Sequence, residues 1–237
     1  MNTLDDYGFR HELKFEMNAK MAEILKQKLK LLLSYDSFSK ESDGSYYIRS
    51  LYFDDIYDTA YYEKINGIEE REKYRIRFYN FDLSYIVLEL KGKKGAVSYK
   101  IQNQITYEEY IYIIQQEYDK IIIGDRSMLE RFILDRKMKN LVPSVIVDYE
   151  RIAFTYPSIG VRLTFDFAIT SGKYNYDFFN KDIMLYDILE KDKIIFEVKY
   201  NKILPKWLKE LIQSVPMTRI SMSKFALCKE LKGNVVQ

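Results

Sequence analysis

Arg71, Lys73, Arg75 and Arg77 alternate with Glu72, Tyr74, Ile76 and Phe78. In an extended strand successive side chains point to opposite faces, so the four cations project from one side. The same habit recurs along the chain. Arg10, Glu12 and Lys14 share a face, as do Glu89 and Lys91, Ser98 and Lys100, Tyr149 and Arg151, Arg162 and Asp166, and Glu197 and Lys199. Between them stand mostly apolar or aromatic residues. Arginine grips phosphate through paired N–H groups, and lysine supplies a point charge. Such faces, brought together, form a site for a polyanion with a few carboxylates left to hold a metal ion. Four like charges at spacing two repel one another unless an anion, or carboxylates on neighbouring strands, compensate. A charged face is also what the solvated side of an antiparallel sheet presents, so the pattern alone leaves both readings open.

The elements that must position these residues follow from periodicity. Period-two patterning predicts strands near 9–17, 45–54, 60–66, 68–80, 84–92, 97–105, 143–153, 159–170, 183–190 and 193–201. Helical patterning lies between and after them. Asn18 caps a segment with Met21, Ile24, Leu25, Leu29, Leu32 and Leu33 on one side. Thr106 and Glu109 form a capping box that opens a helix to about 117, and Asp125 caps another to about 140, ending before Pro143. Pro205 suits a first helical position, and a last short helix begins near 221–223. Asp43-Gly44, Asn66-Gly67, Lys94-Gly95 and Ser171-Gly172 mark turns. Short connections imply a mostly antiparallel sheet, and one domain over 1–237 is the simplest reading. The fold class expected is mainly β (α+β), and a closed barrel would give a charged lumen with amphipathic helices packed outside.

Composition narrows the function classes. The chain has 237 residues with 37 Lys+Arg against 35 Asp+Glu, so attraction for anions must be local, and a general nucleic-acid-binding surface is not expected. One histidine, His11, argues against a histidine-based zinc site. One cysteine, Cys228, fits a reducing compartment and is read as a buried thiol. No run approaches the roughly 20 apolar residues of a membrane span, and the polar start is unlike a signal peptide. A soluble, cytoplasmic protein is the expectation.

Eight segments then come in order: Arg10-His-Glu-Leu-Lys-Phe15, Ile48-Arg-Ser-Leu-Tyr-Phe-Asp54, Arg75-Ile-Arg77, Leu88-Glu-Leu-Lys91, Val147-Asp-Tyr-Glu-Arg151, Val161-Arg-Leu-Thr-Phe-Asp166, Phe196-Glu-Val-Lys199 and Ser223-Lys-Phe225. Together, over about residues 9–228, they resemble the vacuolar transporter chaperone (VTC) domain, the polyphosphate polymerase branch of the triphosphate tunnel metalloenzymes. The resemblance implies an eight-stranded antiparallel tunnel that transfers the terminal phosphoryl group of ATP to a growing polyphosphate chain. It implies Lys14, Arg75, Arg77, Lys91, Lys100, Arg151, Arg162 and Lys224 as phosphate ligands, the first three with Lys91 and Lys224 nearest the chemistry. Tyr149 and Ser223 resemble positions that hydrogen-bond phosphate oxygens. Glu197 resembles the ligand of a divalent metal, manganese or magnesium, and Glu12 is a further candidate; Glu89 and Asp166 are read as holding neighbouring cations in place.

The chain also departs from the family pattern. Hydrolase members open with Glu-x-Glu-x-Lys, and Arg10 replaces the first glutamate here, which tilts the reading towards polymerisation. Ser221 stands where a basic residue resembles the polymerase pattern, with Arg219 nearby. The chain lacks room for the phosphate-sensing domain and membrane helices of eukaryotic assemblies, so export would use other chains, such as a membrane-protein partner. Two alternatives stay open: a tri- or polyphosphate hydrolase on the same scaffold, and a non-catalytic polyphosphate-binding subunit. His11, Trp207 on an amphipathic helix, and Gly92 and Gly95 in a hairpin are read as structural.

Overall fold

Asn18 ends one element and starts the next. Its side chain accepts the Met21 N–H at 2.9 Å, satisfying a donor of the first helical turn, so strand β1 (His11–Asn18) passes directly into helix α1 (Ala19–Lys30). The computed structural model describes residues 11–39, 43–95, 97–172 and 177–230. The chain continues through β2 (Ser34–Tyr35), β3 (Ser45–Asp54), α2 (Thr59–Ile65), β4 (Glu70–Tyr79), β5 (Asp82–Lys94) and β6 (Val97–Ile105). Then come α3 (Tyr107–Gln115), α4 (Ser127–Lys139), β7 (Val142–Tyr156), β8 (Val161–Ser171) and β9 (Tyr186–Asp187). It finishes with β10 (Lys193–Tyr200), α5 (Lys206–Gln213), β11 (Thr218–Arg219) and α6 (Lys224–Glu230).

Among the described residues every ladder is antiparallel. The strands lie in the order β11-β1-β10-β8-β7-β3-β4-β5-β6, with β2 on β7 and β9 on β8. Among the described residues the architecture is therefore mainly β with six α-helices, but the closed eight-stranded barrel is corrected to an open, curved sheet: the path ends at β6 and β11, and no described ladder joins those ends. The reason lies on β1, whose outer edge is already paired. β11 pairs with Phe15 and Glu16, and the Ile220 N–H donates to the Lys14 carbonyl at 3.0 Å. Curvature still brings the far strands together, because Lys91 Nζ on β5 lies 3.6 Å from the Glu12 carboxylate on β1.

Alternation sorts the side chains. On the convex face Leu51, Phe53, Ile76 and Phe78 pack beneath α3 and α4, while Phe154, Leu163, Phe165 and Phe196 pack beneath α1 and α5. A third cluster lies on the concave side, where Tyr52, Val145, Val147 and Ile195 meet Phe225 and Cys228 of α6. One helix thus packs inside the curve, where outside packing was expected, and Cys228 is buried there.

Residues 60–66, expected as a strand, form α2. The carboxylates of Asp54 and Asp55 accept backbone N–H groups of Thr59, Ala60 and Tyr61, which is capping supplied from outside the segment. Only Tyr186–Asp187 of the expected 183–190 strand pairs. Arg126, not Asp125, holds the N-cap position of α4, and Asn103 Oδ1 accepts the Leu129 N–H at 3.0 Å in place of a local cap. Pro205 stands at the N-cap of α5 rather than inside it. Among the described residues no helix is long and apolar enough to cross a membrane.

Candidate anion-binding site

The basic row on β4 runs from an outer cavity inwards. Arg71 and Lys73 line a vestibule of about 540 Å³ together with Lys64, Lys93, Arg219 and Ser221. Lys73, Arg75 and Arg77 go on to line a narrower chamber of about 60 Å³ with Lys14, Lys91, Arg151, Lys199 and Lys224. Tyr52, Tyr149, Ser223 and Glu197 complete that lining. Gly92, on the vestibule wall, leaves room for Tyr99: a Cβ there would meet its ring at 2.0 Å.

Four of the cations are held by partners on neighbouring elements. Arg75 forms a buried ion pair with Glu89 on β5 and donates to the Tyr52 hydroxyl at 2.8 Å. Arg77 donates to Ser50 Oγ and to the Tyr149 hydroxyl, both at 2.9 Å. Arg151 donates to both oxygens of Asp166 at 2.6 and 2.7 Å. Lys224, at the start of α6, pairs with Asp166 and lies 3.1 Å from Glu197. Of the charges expected to repel one another along β4, Arg75 is thus compensated by a carboxylate on the next strand, Arg77 is held by hydroxyls, and Lys73 stays among like charges.

Glu197 sits among Lys199 at 2.8 Å, Lys224 at 3.1 Å, Lys14 at 3.4 Å and Arg151 at 4.0 Å. Burial alone would raise its carboxyl, but Lys14, Lys199, Lys224 and Arg151 outweigh it and hold the group well below the usual range. Glu12 is likewise held low: burial opposes ionisation, and Lys91, Lys14 and Lys199 overcome it. Lys73 goes the other way. Burial, reinforced by Lys91, Lys14 and Arg75, pushes its ammonium well below the usual lysine range, and it donates to Ser223 Oγ at 3.3 Å. Burial brings Lys199 down to about 8, with Glu197 and Glu12 only partly offsetting it.

Of the residues singled out from sequence, Lys14, Arg75, Arg77, Lys91, Tyr149, Arg151, Glu197, Ser223 and Lys224 meet around the chamber, and Glu12 lines the vestibule. Lys100 stands apart, donating to Glu89 at 3.2 Å and to Gln102. Arg162 is also outside, donating to Asp36 at 2.9 Å and to the Tyr46 hydroxyl at 2.9 Å. Arg10 lies outside the described residues. Arg219 shares the vestibule with Ser221, so a cation is present there from a neighbouring position. Lys73 and Lys199 also line the chamber; the family motifs do not single them out as ligands, although each shares strand parity with a residue that they do, Arg75 and Glu197. His11 stacks on Tyr200 at 5.1 Å, and Trp207 lies on α5 beside Tyr156.

Among the described residues no three of His, Cys, Asp or Glu converge as a metal cage. What is present is a pair of carboxylates bridged by a lysine: Lys14 Nζ lies 3.2 Å from Glu12 Oε1 and 3.4 Å from Glu197. Magnesium and manganese take oxygen ligands, and magnesium characteristically keeps waters and shares substrate phosphates. Two carboxylates beside a phosphate site fit such an ion.

No curated protein matches the sequence. Among solved structures the fold is similar to that of a Bacillus halodurans protein named as a candidate adenylate cyclase, with TM-score 0.51 and 12% identity over 87% of this chain and 88% of that one. A Pyrococcus horikoshii protein is similar at TM-score 0.47 and 14% identity, over 94% of this chain and 99% of that one. The VTC domain matches residues 9–231, nearly the whole chain. With the match running over nearly its whole length, this chain belongs to the VTC domain family.

Proposed function

We propose that the chain is a metal-dependent polyphosphate polymerase that transfers the terminal phosphoryl group of ATP to a polyphosphate chain. The observation that carries this reading is the convergence of eight cations, Lys14, Lys73, Arg75, Arg77, Lys91, Arg151, Lys199 and Lys224, on one chamber where Glu197 is the carboxylate. Phosphoryl transfer asks for positioning and charge neutralisation more than covalent help. Two polyphosphates meet end to end only where positive charge offsets their repulsion.

In this reading Lys14, Arg75, Arg77, Lys91 and Lys224 hold the phosphates around the reacting phosphorus. Arg151, Tyr149 and Ser223 hold the neighbouring unit, while Lys100 and Arg162, engaged by Glu89 and Asp36, stand outside the chamber. The acceptor's terminal oxygen forms the new P–O bond, and the bond to ADP's bridging oxygen breaks, the electron pair leaving with ADP. That acceptor oxygen is anionic at neutral pH, so no general base is required. The vestibule has the size of a small-molecule site and takes the nucleoside. A divalent ion held by Glu197 and Glu12 supplies Lewis-acid neutralisation of phosphate oxygens when bound.

Purified protein incubated with ATP and manganese tests the reading, with polymer resolved on gels and free phosphate assayed. Polymer made by the wild type and not by Glu197→Gln is the expected result. Orthophosphate without polymer would make the chain a hydrolase. Triphosphate binding with neither product would make it a binding subunit.

A further inference from the structure

The chamber ends in a wall. Down β4, Arg75 and Arg77 face the chamber and Tyr79 follows two residues later on the same face. Past Arg77 and Arg151, the concave face is closed by Tyr46, Ala153 and Thr164, all buried. Over this end lies the segment 36–39, which links β2 to the turn before β3. The Asp36 N–H donates to the Ala153 carbonyl at 2.9 Å. One Asp36 oxygen accepts from Arg162 Nε at 2.9 Å and the other from the Phe38 N–H at 2.8 Å. The Phe38 ring stacks on Tyr79 at 4.2 Å and lies 5.9 Å from both Tyr46 and Tyr85.

Two features mark this end as a closure over a continuing anion path. First, Arg162 faces the concave side next to Lys199 in register, yet its guanidinium is occupied by Asp36, a carboxylate of the sign a phosphate would bring. Second, among the described residues three buried side-chain polar atoms have no hydrogen-bond partner, and two of them are Thr164 Oγ1 and Ser39 Oγ. Thr164 lies on β8 between Arg162 and Asp166, opposite Glu197. Ser39 lies on the covering segment itself. Buried hydroxyls left unpaired are costly; Thr164, fixed on β8, stands where a phosphate oxygen would arrive if the segment withdrew, and Ser39 would regain a partner in water on leaving.

We propose that segment 36–39 is the end stop of the phosphate-chain site, and that Asp36 and Phe38 determine how long a polyphosphate the chamber accepts. This rests on the reading of the chamber as a triphosphate site. Asp36 competes with the chain for Arg162, and Phe38 fills the space that the next phosphate unit needs. With the stop in place, a triphosphate fits between vestibule and wall. A longer chain extends past Arg77 only by displacing Asp36 from Arg162 and Phe38 from Tyr79.

Calorimetric titration with tripolyphosphate and with long-chain polyphosphate tests this on the wild type, Asp36→Asn and Phe38→Ala. Asp119→Asn, the same charge change on the exposed turn after α3, controls for net charge. Both stop variants are expected to bind the long chain about tenfold more tightly than the wild type, a change of about 1.4 kcal/mol. Tripolyphosphate affinity and the Asp119→Asn control should stay unchanged. An equal gain for tripolyphosphate, or no gain for the long chain, would overturn the end stop. Asp36→Asn keeps the side-chain size and carries the test alone if Phe38→Ala unfolds. Tripolyphosphate binding to none of the proteins would overturn the chamber reading itself, and the stop with it.

Discussion

Arg75 shows how a single residue can mislead when only its own strand is considered. From the sequence, its removal should relieve repulsion along the row. In the fold Arg75 and Glu89 are both buried and paired, and removing Arg75 leaves the buried Glu89 carboxylate with the more exposed Lys100 as its remaining ion-pair partner. Arg75→Met is therefore expected to lower stability by about 3–5 kcal/mol, measured by urea unfolding; a stability equal to or above that of the wild type would contradict the pairing. Lys199 makes a second residue-level prediction. Its folded value of about 8 lies below the 10.5 of a free lysine, and an arriving triphosphate raises it. Above about pH 8 binding must then take up protons, and affinity must fall as pH rises. Calorimetry in buffers of different ionisation enthalpy should detect the uptake and find it reduced in Lys199→Met; equal uptake in the two proteins would remove Lys199 from the linkage. Both lysines missed from sequence were visible in strand parity. Their environments were not, because burial depends on strands far away in the chain.

At the scale of elements, alternation was a reliable guide wherever one face meets the core. The long strands β3 to β8 and β10 fall close to their expected bounds, and the Thr106–Glu109 capping box opens α3 as read. The failures share a cause, since each depends on partners outside the segment. α2 forms because Asp54 and Asp55 cap it, and β1 does not close the barrel because 218–220 occupies its edge. The inward placement of α6 was equally hidden. That helix presents Lys224 to Glu197 and is tied down at its other end, where buried Lys229 pairs with Asp58 and donates to Ser144. Lys229 is thus a positioning residue acting through Lys224. Lys229→Met is expected to weaken tripolyphosphate binding about tenfold. Unchanged affinity in the folded variant would show that α6 keeps its place without the tie.

For the molecule as a whole, the near balance of 37 Lys+Arg and 35 Asp+Glu conceals a strongly polarised interior. Folding gathers cations from β1, β4, β5, β7, β10 and α6 around one chamber while Glu89 and Asp166 stand behind them. The basic row announced such a site, and the family motifs located most of its members. The open edge, the vestibule and the walled end required the full topology. The central claim is that this chamber moves the terminal phosphoryl group of ATP onto polyphosphate. The direct measurement incubates the protein and manganese with ATP labelled at either the γ or the α phosphorus and resolves the products. The expected result is γ label in acid-labile polymer and α label only in released ADP. Label from the α position in a phosphoester product, or γ label appearing solely as orthophosphate, would contradict it.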